Sequence, residues 1–184
     1  MRYSIYLVYF LVTFKGQLFC QEWIRTFSSS ARNQVIYELA EHYDHGYILC
    51  ANKGLTSDLT NGWIIKTDIN GNILWEKLLG NGIRKWVIFG MDITADGGIV
   101  LAGACDTLEF NLRDPFIVKL SSCGDVQWCH IFHSENAADY GMRIKSLADE
   151  SYIFMLKDWK SEQMPSIWLM HLNGTGELIW EQKY

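Results

Sequence analysis

The side chains in this chain that could do chemistry are two histidine pairs, a set of acidic loop residues and the cysteines downstream of residue 20. His42 with His45, and His130 with His133, are spaced by three, which looks like a metal pair. On a strand, residues three apart face opposite sides of the sheet, and His42 and His45 fall in a turn, so neither pair is expected to hold a metal. The acidic residues Asp58, Asp106, Glu109 and Asp114 lie in loops after the second strand of a repeat or before the third, where binding residues commonly sit. They lack the D-x-D-x-D-G spacing of a calcium loop, and solvated loop charge is the plainer reading. The stretch from Asp106 to Asp114, with Leu108, Phe110 and Leu112 interleaved, is the least repeat-like loop. Asp106, Glu109, Phe110 and Asp114 are therefore the residues chosen for a ligand contact.

Cys50, Cys105, Cys123 and Cys129 allow disulfides in an exported chain, yet they do not recur at equivalent positions and read mostly as small buried hydrophobes. Nucleophile elbows, P-loops, dinucleotide fingerprints and H-E-x-x-H are all missing. Asn173 to Thr175 is formally a glycosylation sequon, but it occupies a hairpin turn, which accounts for it. No catalytic constellation emerges, and no cofactor is expected.

The elements that would position these residues are copies of one unit. Gly62 to Gly80 reads as two short apolar strands, Trp63 to Ile65 and Ile73 to Trp75, joined by a polar turn. Phe116 to Trp128 and Trp168 to Trp180 repeat it. Gly71, Gly124 and Gly176 each precede Trp75, Trp128 and Trp180 by four residues, and Asp68, Ser121 and Asn173 stand three before those glycines. Asx and Ser side chains can bond the backbone two residues on, and glycine supplies the positive φ of a tight hairpin. His171 replaces Lys66 and Lys119 at the equivalent position, which points to a structural or solvent-edge role. Trp23, Trp75, Trp128 and Trp180 are separated by 52, 53 and 52 residues, the mark of an array. Asp44 to Ala51 matches Asp96 to Gly103, with Asp149 to Leu156 a weaker third copy, and each follows another apolar segment. Four strands per repeat result. The runs Trp63 to Ile65, Phe116 to Val118 and Trp168 to Met170 do not alternate, so both faces of those strands call for burial.

The fold class expected is all-β, with three four-stranded antiparallel repeats of about 52 residues, β-propeller-like and an incomplete ring. A β-solenoid or a three-sided prism of sheets is the alternative. The repeats are placed at 33–80, 86–132 and 140–184, preceded by an orphan strand at 21–27 that carries Trp23. An open array of three leaves apolar end sheets in water, so self-association through them is expected.

The formal charge of −5 gives no basic footprint, which argues against nucleic acid. Residues 1–20 stand outside the array. Arg2 precedes Tyr3 to Phe14, an uncharged stretch too short for the roughly 20 residues of a membrane helix, and the layout is that of a secretory signal peptide. Cleavage after Cys20 would leave Gln21 first. An apolar strand of the fold and a lipid anchor at Cys20 are the other readings, the latter disfavoured by bulky Phe19.

The GGxIxxAG-like strand at Asp96 to Gly103, the apolar strand and D-x-x-G turn at Trp63 to Gly71, and the G-x-x-x-W elements resemble repeats of secreted bacterial β-propeller proteins. G-x-x-x-W is also similar to the tryptophan-docking motif of quinoprotein propellers. The resemblance implies a propeller-type fold outside the cytoplasm, secreted, cell-surface or periplasmic, with tryptophans packed between blades. Three repeats are fewer than the roughly four to eight blades of a closed propeller. A quinoprotein enzyme of that kind needs a complete ring, a calcium site and adjacent cysteines, and no Cys-Cys occurs here. The expectation is an exported, non-enzymatic binding or scaffold protein, the N-terminal part of a larger propeller, with protein or glycan as partner. A bulb-lectin-like carbohydrate module and a degenerate quinoprotein-like domain are the alternatives. For the lectin, Asp68 with Asn70 is only a fragment of the Q-x-D-x-N-x-V-x-Y sugar motif.

Overall fold

The computed structural model describes residues 26–27, 32–55, 59–80, 83–106, 112–133, 139–158 and 166–184. Residues 1–20, Trp23 with most of segment 21–27, Asp58, Glu109 and Phe110 lie outside them. The described residues form twelve strands and no helix. The first sheet holds β1 (Arg32–Glu41), β2 (Tyr47–Gly54), β3 (Thr60–Thr67) and β4 (Ile73–Leu79). The second holds β5 (Trp86–Ile93), β6 (Ile99–Asp106), β7 (Arg113–Leu120) and β8 (Val126–Ile131). The third holds β9 (Tyr140–Ser146), β10 (Tyr152–Asp158), β11 (Ser166–Leu172) and β12 (Leu178–Lys183). Each is an antiparallel meander in which consecutive strands are neighbours.

The hairpins follow from local chemistry. In the first, Asp68 Oδ1 accepts from the backbone N–H of Asn70 and of Asn72, both at 2.8 Å. Asn173 does the same for Thr175 and Glu177 in the third, and Ser121 Oγ accepts from Asp125 N at 3.1 Å in the second. Gly71, Gly124 and Gly176 then take φ of 76°, 83° and 82°, the left-handed region that a side chain resists.

The sheets stack in succession, in a propeller-like arrangement that does not close on itself. Strand β5 lies across β1, β2 and β3, and β9 lies across β5, β6 and β7. Strict alternation sends one set of side chains to each neighbour. From the second sheet, Leu101, Phe116 and Val118 pack with Ile48, Cys50 and Ile64 of the first. Val100, Ala102 and Ile117 point the other way, against Phe154, Leu156 and Met170 of the third. The second sheet is thus sandwiched, which is why β6 and β7 read as continuous apolar runs. Each fully buried Ile or Phe contributes roughly 1.5–3 kcal/mol of transfer free energy.

The tryptophans tie sheet to sheet. Trp75 of β4 lies on the glycine of the next hairpin, so a Cβ on Gly124 would stand 3.2 Å from its ring. Trp128 of β8 lies likewise on Gly176, at 2.9 Å. Trp180 of β12 occupies the same position in the third sheet and is 43% exposed.

The two ends of the stack differ, and here the expectation of exposed end sheets is corrected. On the outer face of the first sheet, Leu49, Ala51, Trp63 and Ile65 are all buried, with Phe27 and Tyr47 packed against them. The segment before β1 supplies that cover through Phe27. Among the described residues, the outer face of the third sheet is the one that stands open.

Candidate functional site

The turns between the first two strands of each sheet carry the polar side chains that stand closest to one another. In the first sheet, Lys66 Nζ at the end of β3 lies 2.6 Å from Asp44 Oδ2, and both the lysine and its neighbour His42 are buried. His42 Nδ1 is 2.9 Å from Lys66 Nζ, while its Nε2–H donates to the Gly97 carbonyl at 2.8 Å, bridging to the second sheet. In the second sheet Thr94 replaces the histidine. Lys119 Nζ donates to Thr94 Oγ1 at 2.8 Å and to Asp96 at 2.9 and 3.0 Å.

These bonds set the charges. The Lys66 hydrogen bond holds the Asp44 carboxyl well below its ordinary value, with His42 and the Gly46 amide assisting. Desolvation alone would raise Asp96, but hydrogen bonds from Thr94, Lys119 and the Gly98 amide together pull it down to about 2. The lysines are buried because each has a carboxylate, and the carboxylates stay ionised because each has a lysine.

In the third sheet Asp149 and His171 stand at the positions of the aspartate and the lysine, Leu147 at that of His42 and Thr94, and Ser151 at that of Gly46 and Gly98. Ser151 Oγ is 2.5 Å from Asp149 Oδ1 and 2.9 Å from His171 Nε2. Ser, His and Asp are together, but the serine sits in the middle. A hydrolase triad places the carboxylate on the far nitrogen of the imidazole. Here the hydroxyl proton is committed to Asp149, so His171 Nε2–H donates to the serine and cannot act as its base. The Ser151 hydrogen bond also lowers Asp149.

A cleft of about 140 Å³ opens beside the second of these clusters, between the second and third sheets. Asp96, Lys119, Gln127, Trp128, Glu150 and Tyr152 line it. Trp128 and Tyr152 meet edge to face, with ring centroids 5.7 Å apart. Burial, followed by the carboxylates of Asp96 and Glu150, raises the Tyr152 phenol, so it stays protonated as a donor. Such a lining can accept and donate hydrogen bonds to hydroxyls against an aromatic wall.

At the opposite end of the second sheet lie two of the four residues chosen for ligand contact, Asp106 and Asp114. Asp106 and Asp114 are strand residues rather than loop residues, at the end of β6 and the start of β7. Asp106 Oδ1 pairs with Arg113 Nε at 3.1 Å. Asp114 corrects the reading of solvated charge, because it is buried and its Oδ2 lies 2.7 Å from His133 Nδ1. The guanidinium of Arg113 covers the Tyr140 ring at 5.5 Å. Glu109 and Phe110 lie outside the described residues.

The remaining chemistry-bearing residues are spoken for. His130 Nε2–H donates to the Thr175 carbonyl at 2.8 Å, and His45 sits in its turn at φ 63°. No group of metal-ligating side chains occurs among the described residues. Cys50 and Cys105 are buried as expected, and burial pushes the Cys105 thiol up to about 11, leaving it unreactive at neutral pH. Cys123, in a turn, and Cys129, on β8, are exposed, so the buried reading fails for them; all four are free thiols.

The Asp–Lys clusters are the residues that sequence reasoning missed. Their signal was present, since Asp44 to Lys66, Asp96 to Lys119 and Asp149 to His171 recur at offsets of 22 or 23 residues. No family model matches the chain, and no curated protein matches it.

Proposed function

We propose that this chain is an exported, non-catalytic β-repeat protein of the propeller type known from secreted bacterial proteins, serving as a binding or scaffold module within a larger propeller. The observation that carries the reading is where the polar chemistry is spent. Asp44, Asp96 and Asp149, the carboxylates with shifted acidity, accept from the backbone N–H of Gly46, Gly98 and Ser151 at 3.0, 2.9 and 3.1 Å, equivalent positions of the three repeats. An enzyme would set one such group apart from its copies, whereas here each closes a turn. Export is tested by expressing the full chain in a bacterial host and weighing the secreted protein. A mature chain beginning at Gln21 supports it, and recovery of an intact chain from Met1 in the cytoplasm overturns it.

The cleft beside Trp128 favours a second reading, a carbohydrate-binding module. Aromatic wall, carboxylate, amide and ammonium together suit a polyhydroxylated ligand. A glycan array separates the two. Binding that is lost in Gln127→Ala and Glu150→Ala, with the fold intact, supports the module, and an array without signal rejects it.

A further inference from the structure

The three sheets present equivalent downstream faces. Ile48 and Val100 are 0% exposed, each covered by the following sheet, whereas their counterpart Ile153 is only half-buried. Ile64 and Ile117 are 0% exposed, and their counterpart Leu169 is likewise half-buried. Met155 stands where Cys50 and Ala102 are buried, beside Ile167, which is 51% exposed. A groove of about 400 Å³, lined by Met142, Met155 and Ile167 with Arg143 and Lys157, runs along this face. The terminal repeat of an array that faces water normally carries a polar outer face. At the positions of Ile48, Cys50 and Ile64 this one keeps apolar side chains, while Lys157 stands where the second sheet has the buried Ala104.

The docking residues are kept as well. Trp180 repeats Trp75 and Trp128, each of which lies on the positive-φ glycine of the next hairpin. Gln182 repeats Lys77 and His130, which reach Asp125 and the Thr175 carbonyl in that hairpin. The open face therefore continues two established interfaces at these positions. We propose that it is a docking surface for a partner polypeptide that presents a further four-stranded sheet of the same repeat type, whose hairpin glycine receives Trp180.

A second copy of this chain does not supply that sheet. Gly71, Gly124 and Gly176 are all buried, and the outer face of the first sheet is already covered. Gly124 and Gly176 already seat Trp75 and Trp128, and Gly71 is itself buried. This inference rests on the propeller-type reading above and names the class of partner that the scaffold accepts.

The test lengthens the whole chain after Tyr184 by a copy of residues 81–132, which preserves the period, and reads side-chain oxidation by hydroxyl-radical footprinting with mass spectrometry. Residues 81–132 serve as the probe because Gly124 in them already seats a tryptophan. In the unextended chain Met155 and Trp180 should oxidise severalfold faster than Trp128. In the extended chain both should fall to the level of Trp128, and Gly→Val at the appended copy of Gly124 should restore oxidation of Trp180. If Met155 and Trp180 stay reactive while Trp75 and Trp128 are protected, the docking proposal fails and the repeat reading stands. If Trp75 and Trp128 are as reactive as Trp180, the repeat reading itself fails. A stable dimer of the unextended chain, with Met155 and Trp180 protected, would show that a second copy is the occupant and overturn the proposal.

Discussion

Asp96 is held at a pKa of about 2, against 3.8 for a free aspartate, by hydrogen bonds from Thr94, Lys119 and the Gly98 amide that outweigh its desolvation. A carboxylate depressed in the folded state binds fewer protons there than in the unfolded chain, so its contribution is present above about pH 4 and is lost as pH falls toward about 2. Urea midpoints of the wild type should decline across that window. Asp96→Asn should be less stable at pH 7, because Lys119 is left buried without its counter-charge, and the two proteins should converge near pH 2. A constant difference at all pH values would rule out the linkage. The tryptophans give a second comparison at this scale. Trp128→Ala should cost roughly 3–5 kcal/mol, since it empties the seat on Gly176. Trp180→Ala should cost no more than about 1 kcal/mol, because that ring is 43% exposed and has no glycine beneath it. Equal losses in denaturant melts would contradict this account of the docking. The glycine–tryptophan spacing was legible because it repeats along the chain. The burial of Asp114 was not, because its partner His133 arrives from beyond β8, and no local pattern records that meeting.

The contacts that join one sheet to the next are specific polar bonds as well as apolar packing. Asn52 in β2 accepts from the backbone N–H of Ile88 and donates to the Ile88 carbonyl, both at 2.8 Å, so its amide stands in for a strand partner across the sheet boundary. Asn52→Ala should cost roughly 1–3 kcal/mol, since two buried backbone groups lose their partner. Measured unfolding free energies would show it, and a change below experimental error would mean that water takes over both bonds. Asp92 of β5 does equivalent work at the next boundary, accepting from Ser146 N at 2.8 Å and from Lys145 Nζ at 3.0 Å. These bonds are not at repeat-equivalent positions. The period therefore predicted that sheets stack, while the individual fastenings between them could be found only in three dimensions.

Across the whole molecule, stability should fall from the middle of the stack toward the open end. The second sheet is covered on both faces, and every residue of β6 except Asp106 is buried, whereas β12 is exposed along its length. Repeat arrays hold each unit through its neighbours. Native-state hydrogen exchange should therefore find β12 amides opening first and β6 amides only with global unfolding. Uniform protection across the three sheets would indicate a single cooperative block instead. The covered outer face of the first sheet, where Phe27 and Tyr47 pack against the cluster of Leu49, Ala51, Trp63 and Ile65, should keep β2 and β3 closer to the second sheet in protection than to the third.

The sequence by itself determined the repeat unit, the number and order of the strands in it, the hairpin geometry and the tryptophan positions. All of these are local: a turn needs Asp, Ser or Asn, then glycine at a set offset, and a buried strand needs consecutive apolar residues. Only the tertiary structure decided which polar groups pair and which end of the stack is covered. Lys66 and Asp44 meet because antiparallel pairing brings the end of β3 beside the turn before β2, and Trp180 is exposed although its sequence surroundings match those of Trp128. Identical local chemistry has different outcomes at these two tryptophans, because burial belongs to the neighbour that a residue meets, and that neighbour lies some fifty residues away.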